Sequence, residues 1–352
     1  MTAILVTGAG GPLGANVARS LRLAPEPLRL VGTDANRWHL PLSLCDATYR
    51  IPLARLRDPY AGALERIVER ESIAAILPTH PVEVRAVASL REAGRLGGVG
   101  VALPRLSVLE CADDKAATQL ALHAAGVPVP DTILLSRPED VTTAFERFDS
   151  PVWVRGSGAP GLGIGGAALP CRDAAVARAW VEHHVGWGKM AASELLPGAN
   201  LTWMAVFARG ARIASAARER LEYVLPHVAP SGVTGAPAVS RTIDRADVAA
   251  IGERAVRAID GEPHGAYFVD LKEDATGAPR VTEINAGRCG TTVHFYTEAG
   301  CNFPWLLAQL ALGRDVAPVA GVEPDLYWVR TLDCGPVLVR GDAGFDDYGD
   351  EP

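Results

Sequence analysis

Apolar residues in the first hundred positions switch repeatedly between short continuous runs and helical spacing. Ile4-Leu-Val-Thr7 reads as a strand, Leu13, Val17 and Leu21 recur on one helix face, and Leu28 to Asp34 reads as the next strand. Leu64, Ile67 and Val68 mark a helix before a strand over Ile73 to Pro78. A further helix over Val82 to Ala93 leads to a strand at Val99 to Pro104. This repetition predicts a parallel sheet covered by helices, with ligands at the carboxyl ends of its strands.

The pattern changes between Pro104 and Cys111. From Lys115 a helix runs to the breaker Gly126-Val-Pro-Val-Pro130, and strands at Ile133 to Leu135 and Pro151 to Arg155 flank a helix near Pro138 to Phe148. Another helix is expected over Arg172 to Val185. Past Ala191 the chain is strand-rich: Leu201 to Ala208, Ile213 to Arg220, Gly265 to Lys272 and Arg280 to Asn285, with helices at Arg245 to Ile259 and Asn302 to Leu312. Leu326 to Arg330 and Pro336 to Arg340 are the last expected strands. After Gly341, five acidic residues in eleven predict a frayed tail. The expected units are therefore residues 1–105, 106–190 and 191–341, with an acidic tail at 342–352.

Size and charge narrow the function classes. A chain of 352 residues suits two or three domains, and 48% apolar with 21% charged residues is a compact globular composition. The net charge of -7, with arginines dispersed as single residues, argues against a nucleic-acid partner. No apolar stretch approaches a membrane span, and the start Met-Thr-Ala-Ile-Leu-Val-Thr-Gly lacks the charged head of a signal peptide, so a cytoplasmic protein is expected. Cysteines 45, 111, 171, 289, 301 and 334 form no Cys-x-x-Cys pair and have no histidines at zinc-ligand spacing, so they read as reduced, mostly buried small hydrophobes.

Only three of the 34 Lys and Arg residues are lysines. A composition that uses arginine almost everywhere gives Lys115, which closes Glu110-Cys-Ala-Asp-Asp-Lys115, a raised prior of needing a compact ammonium. Downstream, a strand ending in Arg155 feeds the loop Gly156-Ser-Gly-Ala-Pro-Gly161-Leu-Gly163-Ile-Gly165-Gly166, whose backbone N–H groups can wrap phosphate oxygens without side-chain obstruction. Further on, Glu283 and Asn285 alternate onto one strand face, and Asp270 reaches that face if residues 273–278 form a hairpin. Hard oxygen ligands in this arrangement suit Mg2+ bridging nucleotide phosphates. Arg218 and Arg220 also share a strand face, as candidates for a carboxylate or a transferring phosphate, with surface solvation as the alternative.

The order of these segments resembles the ATP-grasp superfamily, especially its carboxylate-amine ligases and the synthetase halves of carbamoyl phosphate synthase. The fold implied is α/β, an ATP-grasp fold preceded by a parallel-sheet, Rossmann-like domain. In this resemblance Lys115, Arg155, Gly161, Gly163, Gly165 and Gly166 contact ATP phosphates, and Ser193-Glu194-Leu195-Leu196-Pro-Gly198 is similar to the hinge beside adenine. Asp270, Glu283 and Asn285 would hold Mg2+, with Mn2+ as an alternative, and Arg288 would contact phosphate or acyl phosphate. Two departures are visible. Arg155 stands where the family usually has Lys, and Asn285-Ala-Gly-Arg288 replaces the common Asn-Pro-Arg. The usual acidic ribose ligand after the hinge is absent, with Asn200 or Thr202 in that region.

The activity implied is ATP-dependent ligation of a small carboxylate to an amine through an acyl phosphate, with ADP and phosphate released. Two other readings stay open. Thr7-Gly8-Ala-Gly10-Gly11-Pro-Leu-Gly14 after a strand, with Asp34 closing the next, also fits an NAD(P)-dependent oxidoreductase, although no Tyr lies four residues before any lysine. A catalytically inactive nucleotide-binding protein is the other, on the strength of Arg155. Gly10 and Gly11 could contact substrate or cofactor, or simply make a tight turn; His80 and Glu83 could contact substrate or cap a helix. His294 and Tyr296 could line an acceptor pocket. A homodimer is left open.

Overall fold

A computed structural model describes residues 1–157, 167–232, 236–331 and residue 348. Strands β1 (Thr2–Thr7), β2 (Leu28–Asp34), β3 (Ala47–Arg50) and β4 (Ala75–Leu77) form a parallel sheet in the order β3-β2-β1-β4, with helices α1 (Pro12–Arg22), α2 (Arg57–Glu71) and α3 (Pro81–Glu92). The expected strand at 99–104 is reduced to a single bridge between Ala75 and Gly100. Arg91 holds the Leu103 and Pro104 carbonyl oxygens at 2.6 and 2.7 Å, which takes them out of a ladder. β3 takes the opposite edge; its short, partly polar run Ala-Thr-Tyr-Arg gave no periodic signal.

Helices α4 (Leu106–Asp113) and α5 (Lys115–Ala124) lead into a four-stranded antiparallel sheet, β5-β8-β6-β7, made by β5 (Thr132–Leu135), β6 (Val152–Gly156), β7 (Leu169–Cys171) and β8 (Met190–Ser193), with α6 (Pro138–Arg147) and α7 (Ala174–His183). A six-stranded sheet follows in the order β13-β12-β9-β10-β11-β14. Its members are β9 (Asn200–Ala208), β10 (Ala211–Tyr223), β11 (Pro237–Ile243), β12 (Gly265–Glu273), β13 (Pro279–Ala286) and β14 (Tyr327–Val329), with helices α8 (Ala246–Ile259), α9 (His294–Glu298) and α10 (Phe303–Ala311). The expected strand at 336–340 and the glycine loop positions Gly161, Gly163, Gly165 and Gly166 lie outside the described residues, as does the acidic tail apart from Tyr348.

Residues 273–278 do form the hairpin between β12 and β13. Asp274 accepts from the Thr276 and Ala278 N–H groups at 2.9 and 3.0 Å, and Gly277 supplies the positive φ of 83°. The Thr276 hydroxyl, which donates to Asp274 at 2.7 Å, and then these N–H bonds hold its carboxyl well below the usual carboxylate range.

The boundary expected at 105 separates sheets but not cores. One apolar cluster joins Ile4, Val6, Leu13 and Val17 to Met204, Val206, Phe268, Phe303 and Leu307. A polar seam reinforces it: Asn16 Nδ2 donates to Thr291 O at 2.7 Å, Asn302 Nδ2 to Ser20 O at 2.7 Å, and Thr297 Oγ1 to Ser20 Oγ at 2.9 Å. The antiparallel four-stranded sheet has its own core, drawn from residues between Leu135 and Ala192. On the far face of the large sheet, Gly252 of α8 has no side chain where one would collide with the Trp203 ring, so α8 packs close over β9. Cys171, Cys289 and Cys301 are buried free thiols, and burial pushes the Cys289 thiol up to about 12. Among the described residues no helix is long and apolar enough to cross a membrane.

Candidate active site

Register partners in a sheet share a face, and the six-stranded sheet uses this to build a polar floor. One cross-strand row reads Glu283, Asp270, Thr202, Arg218, Thr242. Two residues along, a second reads Lys272, Asn200, Arg220, Ser240, Trp328. The opposite face is the apolar core of Leu201, Trp203, Val269 and Leu271. Alternation in each strand thus places chemistry on one side and packing on the other.

Asp270 and Glu283 face each other directly across the β12 and β13 pair. Thr202 Oγ1 donates to Asp270 Oδ1 at 2.8 Å, and Arg220 Nη2 lies 3.5 Å from the same oxygen. Asn285 Nδ2 donates to Glu283 Oε1 at 3.2 Å, and its Oδ1 accepts from Arg288 Nη2 at 2.6 Å. The inserted Gly287 accounts for that last contact: with φ of 78° it turns the chain back, and a side chain there would strike Val84 and Leu109. Arg288 also lies over the Phe268 ring at 5.0 Å.

Two further cations converge on Glu283. Arg155, projecting from the smaller sheet, donates to Thr282 O of β13 at 3.4 Å, while Lys115 stands at the first turn of α5. Burial lowers the Lys115 ammonium to about 8; neighbouring Arg155 lowers it too, and Glu283 opposes both. Burial also lowers Arg155, against the pull of Glu283. Lys115 Nζ has no hydrogen-bond partner among the described residues. A buried ammonium without an acceptor suits a phosphate-bearing ligand, so the residues present fit a nucleotide. The facing carboxylates of Asp270 and Glu283 also suit Mg2+, with the Asn285 amide oxygen, which here accepts from Arg288, beside them; among the described residues no group of three His, Cys, Asp or Glu gathers.

The link from the smaller sheet to the larger runs through residues 194–198. Glu194 Oε1 accepts from Asp131 N at 3.0 Å, Leu196 is buried, and Gly198 N donates to Glu273 O at 3.0 Å. Glu194, Leu195 and Leu196 therefore sit between the two sheets. Thr202, which stands in the region of the absent ribose acid, donates to Asp270. Asn200 accepts from Lys272 Nζ at 3.3 Å, and Lys272 donates also to Gly198 O at 3.0 Å. Lys272 escaped the sequence reading although the signal was present: it is one of only three lysines and stands two residues from Asp270 on the same face. Tyr223 was missed because the register of β10 shifts after Arg220, which breaks simple alternation.

The carboxyl edge of the parallel sheet is built differently from its glycine pattern. Gly10 N donates to Asp34 Oδ2 at 3.2 Å and Asn36 N to Asp34 Oδ1 at 2.9 Å, so this acid ties loops together. A side chain on Gly10 would collide with the His39 backbone, while Gly11 N donates to Gly8 O at 3.0 Å. Gly10 is thus accounted for by close packing of the chain on itself. Glu83 is buried and accepts from Thr7 Oγ1 at 2.8 Å; burial raises its carboxyl to about 7, with neighbouring Asp34 adding to the rise. His80 caps α3, its Nδ1 accepting from Val82 N at 3.3 Å, and burial together with nearby Arg288 and Arg85 lowers its imidazole.

His294 lies in the seam with α1, 3.2 Å from Ser20 Oγ and 3.0 Å from Glu298, with its ring edge-on to Trp328. Its neighbour Tyr296 takes the position facing Arg218, whose guanidinium lies 5.9 Å from the ring.

No family model matches the chain. Solved structures do. An L-amino acid ligase from Bacillus licheniformis aligns over 90% of this chain and 75% of its own at 15% identity, TM-score 0.65. The N5-carboxyaminoimidazole synthetase of Staphylococcus aureus aligns over 92% and 80% at 15% identity, TM-score 0.65. The biotin carboxylase domain of the Hydrogenobacter thermophilus 2-oxoglutarate carboxylase, in complex with MgADP, ADP and bicarbonate, aligns over 93% and 73% at 15% identity, TM-score 0.65. The architecture they share with this chain is the ATP-grasp fold.

Proposed function

We propose that this ATP-grasp protein is an ATP-dependent carboxylate-amine ligase that forms an amide through an acyl phosphate. The observation that carries the reading is Arg155 of the smaller sheet bonded to Thr282 O beside Glu283, itself opposite Asp270, with the Lys115 ammonium buried and unpartnered among the described residues. Two cations reaching a carboxylate pair form a cleft suited to a polyphosphate, with adenine beside residues 194–198. Mg2+, held by Asp270, Glu283 and Asn285, supplies charge neutralisation when bound.

A carboxylate oxygen of the substrate attacks the terminal phosphorus and ADP departs. The amine nitrogen then attacks the acyl carbon, and phosphate leaves with one former carboxylate oxygen. Arg288 holds the anion through both steps, a role supported by its anchorage on Asn285. Lys115 and Arg155 orient the phosphates, and closing the cleft keeps water from the acyl phosphate. No covalent protein nucleophile is required. Small-molecule carboxylates and amines are the partners this chemistry calls for.

With the carboxylate labelled by oxygen-18, inorganic phosphate must receive one labelled oxygen as the amide forms. Unlabelled phosphate released alongside amide rejects the intermediate, and binding of NAD in place of ATP or ADP in parallel titrations rejects the class.

A further inference from the structure

The proposed reaction assigns the reacting carboxylate to Arg288, which leaves the guanidinium of Arg218 without a role. Arg218 is only 5% exposed, yet among the described residues no carboxylate pairs with it. Its nearest acid, Asp270, already lies against Arg220 at 3.5 Å. The Arg218 contacts are Thr292 Oγ1 and the face of Tyr296, and its Nε has no partner. A buried cation in such surroundings is costly unless an anion joins it.

The groups around Arg218 share its deficit. Arg220 Nε, Tyr223 OH and Tyr296 OH are all buried and without a hydrogen-bond partner among the described residues. Arg218, Arg220 and Asp270 perturb both phenols, which places the whole set in one neighbourhood. Burial raises the Tyr296 phenol to about 12, so it remains a proton donor at neutral pH. All four groups can donate, and only the two phenol oxygens can also accept. At Gly290 a Cβ would come into contact with Arg218 Nη2 at 3.9 Å, so the glycine leaves that flank of the guanidinium uncovered.

This pocket is displaced from the phosphate cations. Lys115 and Arg155 reach the β13 edge, whereas Arg218, Arg220 and Tyr223 stand on β10, with β12 and β9 between. A ligand anchored at Arg288 and extending over β10 therefore meets a second set of donors. We propose that the substrate carboxylate belongs to a dicarboxylate, and that Arg218, Tyr223 and Tyr296 select it by binding its second, unreactive carboxylate. The proposal rests on the ligase reading for which carboxylate reacts.

Binding is measured by calorimetry with the ADP-loaded protein and Mg2+. Succinate, glutarate, L-aspartate and L-glutamate are each compared with the monocarboxylate of equal chain length: butyrate, valerate, L-2-aminobutyrate and L-norvaline. At least one dicarboxylate should bind roughly ten- to a hundredfold more tightly than its counterpart, the range expected for one charge-assisted contact. Arg218→Gln should erase that preference, and Tyr296→Phe, which keeps the ring, should reduce it. Equal binding of every pair, or no binding of any dicarboxylate, overturns the subsite; so does a preference that survives Arg218→Gln. Should Arg218→Gln fold poorly, the Tyr296→Phe result decides. Failure of ADP itself to bind would instead refute the nucleotide reading.

Discussion

Asp270 and Glu283 are direct partners on antiparallel strands, so two carboxylates occupy neighbouring positions on one face of the large sheet. Each is held by a different device: Asp270 by Thr202 and Arg220, Glu283 by Asn285 and the cations that reach it from outside its own sheet. Asp270→Asn and Glu283→Gln preserve shape and remove charge. Either should lower Mg2+-dependent ADP formation by on the order of a hundredfold, from the loss of a charged ligand worth several kcal/mol. Circular dichroism should stay unchanged. Normal turnover in both variants would remove the pair from the metal site.

Arg155 stands where the resemblance to ATP-grasp ligases implies a lysine, and it makes a bond to Thr282 O. Arg155→Ala should weaken ATP binding by about 1.5 to 3 kcal/mol, the contribution of a hydrogen bond to a charged group. Arg155→Lys should recover part of it, because an ammonium retains the charge but not the fork. Isothermal calorimetry that gives the same affinity for wild type and the Ala variant refutes the contact.

Glu83 supplies a pH test. Its carboxyl is raised in the fold from 4.5 to about 7, so between those values the folded state binds more protons than the unfolded one. Stability from this group is therefore present below the unfolded value and lost as pH rises through 7. Above pH 7 the loss is about 3 kcal/mol at 1.36 kcal/mol per unit. Glu83→Gln keeps an acceptor for Thr7 and cannot ionise. The melting temperature of Glu83→Gln relative to wild type should rise from pH 5 to pH 8, and a constant difference would show that Glu83 titrates normally.

Gly10 is explained by its close approach to the His39 backbone. Gly10→Ala should cost about 1 to 3 kcal/mol of stability, as overpacked sites do, with ADP affinity preserved. An equally stable variant that no longer binds nucleotide would transfer the glycine to a ligand site.

Much of this site could be read from the sequence because it follows local periodicity. Glu283 and Asn285 share a face by alternation, and Asp270 joins them through a hairpin announced by Asp274 and Gly277. What escaped depended on distant partners. The strand expected at 99–104 loses its ladder to Arg91, whose bonds to Leu103 and Pro104 no local pattern reveals. His294 and Tyr296 looked equivalent until α1 claimed the histidine through Ser20. Tyr223 reaches the floor because the β10 register shifts, and Arg218 gains its meaning only from the absence of a carboxylate beside it among the described residues.

The shared cluster of Val6, Leu13, Met204 and Phe303, set against the separate core between Leu135 and Ala192, has a mechanical consequence. Separating the parallel sheet from the six-stranded one would tear open a continuous apolar interior, whereas tilting the smaller sheet breaks no core at all. The molecule is thus a heavy platform carrying one light lever. The platform holds Asp270, Glu283 and Arg288 in fixed relation, and the lever carries Arg155 across to them. On the proposed nucleotide reading, a tilt of the smaller sheet that opens the cleft pulls Arg155 away from Thr282 while leaving the two carboxylates where they are.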